Sequence, residues 1–455
     1  MRGGFGRYRW VASRRRSVAA PLLCCLLLFG TLFPLEACTS QSASKPPETL
    51  GYDFSEIDDR LITPEEAQTL VSSKLSGATE SVDENGIVHG VTPAGIRYTL
   101  RGRGVLGATQ DKVSLCAVGD QLATDMSFPI ADRYAGERGD GVYDFLPFYQ
   151  EVAPVIQGYD LRYINQETVM AGRERGYSGY PVFNSPDNMA ETIAAVGFNL
   201  VNFATNHTYD MGLSGIERSH EVWARFPQLL VAGSYLTQED RECVQMIERN
   251  GMTFAFLAYT YGDNHYGYGT DNMPNAYYSC QFDYDLIEED VTRAKAVADV
   301  VIVSMHWGNE YISEISSHQW EWAEFLADLE VDLVLGSHAH IMQAVKYVTG
   351  SGGNTIPVVF GLSDFVSGWT ITDTILSGIF TCDFVRGANG SIEVENLVWY
   401  PTIEWSDGGD VYVRMLKDMD KDEIEDNTRT EDVWDDYNYL RSKVNSVGMD
   451  IPVVM

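Results

Sequence analysis

Basic residues are scarce in this chain of 455 amino acids: 32 lysines and arginines stand against 65 aspartates and glutamates, a formal charge of −33. Residues 1 to 37 hold six of the arginines and one glutamate, so the remainder carries 26 against 64 and a net −38. A surface of that sign repels a polyphosphate backbone, and no nucleic-acid partner is expected. Cysteine is sparse as well. Of seven, Cys24, Cys25 and Cys38 sit near the N-terminus, and Cys116, Cys243, Cys280 and Cys382 are too far apart for a zinc ribbon. Those four are either buried thiols or one or two disulfides whose pairing the sequence leaves open. Beyond residue 35 no apolar run is long enough to cross a bilayer. Histidine is rare, eight in all, and where the eight fall carries most of the functional information.

The N-terminus reads as an export signal. Arg14, Arg15 and Arg16 precede an apolar run from Val18 to Leu35, which ends in Leu35-Glu36-Ala37-Cys38 and then a polar stretch. The ending resembles a bacterial lipobox with Cys38 as the lipidated residue, although Glu36 is unusual there and a plain signal peptide or an uncleaved anchor fits too. The chain is therefore expected outside the cell, lipid-anchored on the outer face of the membrane. Residues 39 to 112 read as a tether and an N-terminal extension. They include a helix over 63–75, with Thr63 as its cap and Pro64 in its first turn, followed by glycine-rich hairpin material.

From residue 113 the pattern is strand, loop, helix, repeated. Apolar runs at 113–119, 159–164, 198–204, 299–305 and 331–335 read as buried strands. Amphipathic segments at 186–197, 213–226, 284–299 and 317–330 read as helices. Runs at 357–362, 378–384 and 391–399 close the set. Such alternation predicts a layered α/β fold with helices outside.

Polar residues fall where the strands stop. Five apolar strands run into Asp120, Glu167, Asn206-His207, His306 and His338-Ala339-His340. In open α/β sheets ligands bind beyond the carboxyl ends of the strands, so the five endings predict one shared site. Oxygen and imidazole donors without thiolate suit one or two divalent ions of manganese, iron, zinc or magnesium rather than a structural zinc. Such ions activate water and clamp a phosphoryl or acyl oxygen. His207, next to a ligand, is placed to protonate a leaving group. Asp210 three residues on either orients that imidazole or caps the following helix. The other histidines, His89, His220 and His318, read as surface or packing residues. Asp418, Asp420 and Asp422 suggest a calcium loop, but Glu423 and Arg429 occupy the positions that need glycine and glutamate, so 417–426 reads as a solvated acidic segment.

The runs NFATNHTYDMGLSGI (202–216), VVIVSMHWGNEY (300–311) and VDLVLGSHAHIMQ (331–343), with GD at 119–120, YINQET at 163–168 and GYPVFNSP at 179–186, resemble the CapA family of capsule synthesis. That family is associated with poly-γ-glutamate capsules and is a branch of the calcineurin-like metallophosphoesterases. The resemblance implies a four-layer α/β/β/α sandwich, two mixed sheets flanked by helices, over about 113–400, with 401–455 as an acidic C-terminal extension. It implies that Asp120 and Glu167 bridge the metals, that Asn206, His306 and His338 complete one, and that His340 serves the other. His207 would be the proton donor. The loop at 259–272 matches the family's loop that would bring Asn264 or His265 to the substrate, although its Tyr- and Gly-rich composition reads more simply as a flexible surface loop. Two departures stand out. The wider superfamily has a histidine two residues after the first aspartate, where this chain has Leu122, and the family's serine–leucine–glycine–asparagine run is Gly361-Leu362-Ser363-Asp364 here.

The expected function is biosynthesis or export of a capsule polymer, with that polymer or capsule-synthesis membrane proteins as partners and a metal-dependent hydrolase site. A scaffold without catalysis and an exported phosphodiesterase or nucleotidase are the alternatives.

Overall fold

In the computed structural model the described residues are 50, 73–102, 111–136, 139–268, 275–406, 408–428 and 437–455. The export segment with Cys38, the tether up to residue 49 and the helix expected at 63–75, apart from its last three residues, lie outside them. Among the described residues no helix is long and apolar enough to cross a membrane.

The strands run, in chain order, β1 (Thr79–Val82), β2 (Val88–Val91), β3 (Arg97–Arg101), β4 (Lys112–Gln121), β5 (Leu161–Gln166), β6 (Leu200–Asn202), β7 (Leu230–Ala232), β8 (Val244–Arg249) and β9 (Met252–Thr260). They continue as β10 (Gly262–Asp263), β11 (Gly267–Tyr268), β12 (Val300–His306), β13 (Leu333–Ser337), β14 (Met342–Thr349) and β15 (Thr355–Leu362). The last are β16 (Asp364–Val366), β17 (Leu376–Arg386), β18 (Ile392–Ser406) and β19 (Val411–Met415). Nine form one mixed sheet, β1-β2-β3-β8-β9-β12-β13-β15-β14, and seven a second, β19-β18-β17-β4-β5-β6-β7, to which β16 adds by pairing with β4. Four longer helices are α1 (Asn188–Val196), α2 (Gly212–Trp223), α3 (Tyr284–Val297) and α4 (Ser317–Asp328).

Strand alternation builds the layers. In β4, Val113, Leu115 and Ala117 join Phe254, Phe256, Ile302 and Leu335 of the other sheet in one buried core. Cys116 and Val118 point the opposite way, into a second core with Met189 and Ile193 of α1 and Val222 of α2. Outside the nine-stranded sheet, Ile287 and Val291 of α3 and Trp322 and Leu326 of α4 cover Val301, Val303 and Val334. The result is helices, sheet, sheet, helices, the expected four-layer sandwich. Each fully buried aliphatic or aromatic side chain adds roughly 1.5–3 kcal/mol of transfer free energy.

Local chemistry sets the helix ends. α1 stops at Gly197, which takes φ 98°, a left-handed conformation that costs glycine least. α3 starts where the Asp283 side chain accepts from the Leu286 amide, and α4 starts on a capping box between Ser316 and Gln319.

The flanking segments are built into the sandwich. β3 pairs in parallel with β8, so the 79–101 hairpins form the edge of the nine-stranded sheet. The boundary expected at residue 400 falls inside β18, and Leu440 and Val444 of the helix Tyr437–Ser446 enter the core between the sheets. The 417–426 segment is less solvated than its composition suggests. Asp420 caps the helical turn Lys421–Glu425 through a capping box with Glu423, and Met419 and Ile424 are buried in the same core. Cys116, Cys243, Cys280 and Cys382 are all free thiols.

Candidate metal centre

Two in-register rows of polar side chains meet between the sheets. In the eight-stranded sheet Asn202, Asn165, Asp120 and Asp364 are consecutive neighbours across β6, β5, β4 and β16. In the nine-stranded sheet Thr260, His306 and Ser337 align across β9, β12 and β13. Parallel pairing puts the C-terminal ends of strands at one level, so residues far apart in sequence share a single edge. One irregularity aims the first row. Between Ala117 and Asp120, β4 carries one more residue than its partner β5, which brings Asp120 level with Asn165.

Gly119 makes the junction possible. A Cβ there would lie 1.8 Å from the Ser363 carbonyl oxygen, and the Asp120 amide donates to that same oxygen at 2.9 Å. Only a residue without a side chain lets β16 approach this closely. Ser363, His338 and His340 all hold positive φ, at 70°, 90° and 57°. Backbone of that kind costs on the order of 1–3 kcal/mol per residue and persists where the surroundings impose it.

All six predicted ligands converge and are buried. The Asp120 carboxylate accepts from Asn165 Nδ2 at 2.7 Å, and Asn165 in turn accepts from Asn202 Nδ2 at 2.6 Å. His306 Nδ1 meets Ser337 Oγ at 2.9 Å, leaving Nε2 facing Asn206 Oδ1 at 2.8 Å. Glu167 Oε1 stands 3.7 Å from both His306 Nε2 and His340 Nε2. His340 Nδ1 lies 2.8 Å from Asp364 Oδ1 and 3.5 Å from Asp120 Oδ2. Ligand atoms of Glu167, His338 and His340 lie within 4.8 Å of one another, and so do those of Asp120, His340 and Asp364.

Electrostatics favours a cation. Both Glu167 oxygens, His338 Nδ1 and Asp364 Oδ2 are buried without a hydrogen-bond partner. Burial drives Glu167 well above the usual carboxyl range despite the pull of His340, and it holds His306 and His338 well below the usual histidine range. Burial also opposes a charge on His340, but Glu167 and Asp364 outweigh it and raise that imidazole. Orphaned buried polar atoms are costly, and neutral imidazoles beside carboxylates are the donor form that divalent metals take up. The residues fit a divalent ion.

His207 and Asp210 form a dyad beside the cluster. His207 Nδ1 and Asp210 Oδ2 are 2.7 Å apart, and the same oxygen accepts the Phe183 amide at 2.7 Å. The Phe183 ring meets the imidazole edge-on at 4.6 Å. α2 begins after Met211 with no side-chain cap, so Asp210 orients His207 rather than capping the helix. That contact occupies Nδ1 and turns Nε2 away from Asp210. The Asn264 amide donates to the Asn206 carbonyl at 2.9 Å, and its Nδ2 lies 3.4 Å from His207 Nε2. His265 differs: its amide donates to Asp263 Oδ1 and its ring lies on Tyr266, both outside the ligand cluster. His89 and His318 are exposed, and His220 meets Ser234 Oγ at 3.1 Å.

Sequence reasoning missed Asp364, Asn165, Asn202 and Ser337 as members of the site. The two asparagines stand at strand ends where polar residues had been noticed, but their mutual contacts depend on sheet register. Leu122 is buried, its amide held by the Val366 carbonyl at 2.9 Å.

The model of the family described as bacterial capsule synthesis protein PGA_cap matches residues 114–369. The PGA biosynthesis protein CapA of Bacillus subtilis (strain 168) is 26% identical over 179 residues, 39% of this chain and 45% of that protein. The capsule biosynthesis protein CapA of Bacillus anthracis is 25% identical over 273 residues, 58% of this chain and 62% of its own. The chain thus spans about half the length of these relatives. Among solved structures, the NAD nucleotidase of Haemophilus influenzae aligns over 74% of this chain and 59% of its own, at 10% identity and a TM-score of 0.41. With more than half of its residues matched by the family model, the chain belongs to the PGA_cap family of bacterial capsule synthesis proteins.

Proposed function

We propose that the protein is an exported, surface-anchored member of the capsule-synthesis machinery whose site between the sheets is a metal-dependent hydrolase centre. One observation carries the reading: six donors from five strand ends converge in a buried cluster that leaves three of their polar atoms, both Glu167 oxygens and His338 Nδ1, unpartnered. Asp120, Glu167, Asn206, His306, His338 and His340 would hold the ion. A divalent metal so held lowers the pKa of water and withdraws charge from a phosphoryl or acyl oxygen. The chain's own groups do the rest. Asp210 fixes the His207 tautomer through Nδ1, and His207 Nε2 delivers a proton to the leaving oxygen or nitrogen. Asn264, beside that nitrogen, contacts the substrate. The N-terminal arginines, the apolar run to Leu35 and Cys38 support export and a lipid anchor on the outer face of the membrane. The partners in this reading are the capsule polymer or the membrane proteins that make it.

The test is metal content followed by turnover. Purified wild type should retain manganese or another divalent ion, and His338→Ala/His340→Ala should lose it. Equal content in both would end the assignment. Turnover of an aryl phosphate should fall by roughly 100-fold or more in His207→Ala, the range general acid catalysis contributes. A scaffold that binds metal without catalysis is the second reading, favoured by the buried leucine at 122 in place of a donor. It requires His207→Ala to leave capsule formation unchanged.

A further inference from the structure

The second metal position is the weak point of the centre, because Leu122 supplies no donor there. β16 supplies a carboxylate instead. Its parallel pairing with β4 sets Asp364 directly beside Asp120, and Gly119 is what allows that approach. The Asp364 carboxylate is 2% exposed at most and uses its two oxygens differently. Oδ1 meets His340 Nδ1 at 2.8 Å, and Oδ2 has no hydrogen-bond partner. A carboxylate that only oriented His340 would leave that second oxygen uncompensated in a buried setting, which is costly.

The charge balance points the same way. His340 stands 2.8 Å from Asp364, 3.5 Å from Asp120 and 3.7 Å from Glu167. One imidazole cannot neutralise such a set. The position where the resemblance expects the neutral amide of asparagine thus carries an acid in this chain, set beside Asp120.

We propose that Asp364 is a metal ligand, forming with Asp120 and His340 the second position of a two-ion centre and replacing the donor that Leu122 does not provide. The proposal rests on the reading that the cluster binds divalent metal. With Asp120, Glu167 and Asp364 as its carboxylates, two divalent ions would leave the centre net positive, which suits an anionic substrate group, a phosphate or a carboxylate.

Manganese titration of the chelator-stripped full chain tests this, with free and bound ion counted by electron paramagnetic resonance. Asp364→Asn keeps an oxygen for His340 Nδ1 and removes the charge. Wild type should bind two ions and Asp364→Asn one, the second weakened beyond the roughly 10–100-fold that losing a merely supporting residue costs. Two ions of unchanged affinity in Asp364→Asn would overturn the proposal. One ion in both proteins would overturn it while the metal reading stood, and none in wild type would sink both. Should Asp364→Asn not fold, wild-type crystals soaked in manganese decide: an anomalous peak bonded to an Asp364 oxygen supports the assignment, and its absence there refutes it.

Discussion

At the scale of single residues the site sorts into groups that face the cavity and groups that hold them. His306 shows the pattern: Ser337 fixes Nδ1, so Nε2 is the nitrogen presented to the cavity. Asp210 does the same for His207. Fixing one ring nitrogen decides what the other can do, which is how a neighbour tunes a histidine without touching a ligand. Away from the centre, His220 obeys a simpler rule. Burial pushes its imidazole down to about 4, with Asp240 opposing weakly. Its folded pKa lies below the unfolded value near 6.5, so the folded state binds fewer protons between those limits. That contribution to stability is complete above pH 6.5 and is lost as the pH falls towards 4. Between pH 7 and pH 5 the unfolding free energy from urea titration should therefore drop further for wild type than for His220→Gln, by on the order of 1 kcal/mol once partial exposure is allowed for.

At the scale of elements, the junction between β4 and β16 is the tightest glycine-dependent contact among the described residues. A Cβ at position 119 would sit 1.8 Å from a backbone oxygen that has no side-chain freedom to yield. Gly119→Ala should cost about 1–3 kcal/mol, as overpacking does. It should also move Asp364 away from Asp120, so a lower urea midpoint should be accompanied by lower metal content. The comparison of sequence with structure is most instructive here. The strand ends at Asp120, Glu167, Asn206, His306 and His338 were legible because an apolar run stopping at a donor is a local pattern. The helices were legible for the same reason, from periodicity and from caps such as Ser316 and Gly197. Asp364 was not. Its place follows from pairing between strands more than 240 residues apart, and its motif looked like a defect when read alone. Likewise the 79–101 hairpins were readable as strands, but nothing local showed that β3 joins β8 some 145 residues later. The added residue in β4 was invisible too, since it exists only relative to β5.

At the scale of the whole molecule, the two sheets share the work of the centre unequally. Asp120, Glu167, Asn206 and Asp364 lie in or just after strands β4, β5, β6 and β16 of the eight-stranded sheet, whereas His306, His338 and His340 lie in or just after β12 and β13 of the nine-stranded one. An ion bound by both sets ties the sheets together at one end of their common core. Ligand linkage gives the scale: an ion present at about 100 times its Kd stabilises the folded state by about 2.7 kcal/mol. Chelator should lower Tm measurably and salts of manganese should restore it. His338→Ala/His340→Ala should show neither response, and differential scanning calorimetry reads all three cases.

That division by sheet has a chemical consequence. The candidate metal donors on one wall of the centre are oxygens and those on the other are imidazoles, so hardness is distributed by strand. Substitutions at the ends of β4, β5 and β16 alter the share of hard donors that magnesium and manganese prefer, while those after β12 and β13 alter the borderline nitrogen share that zinc prefers. Choice of ion and firmness of grip are thereby adjustable from opposite walls. A lineage could change which metal it uses by editing one sheet and leaving the other intact.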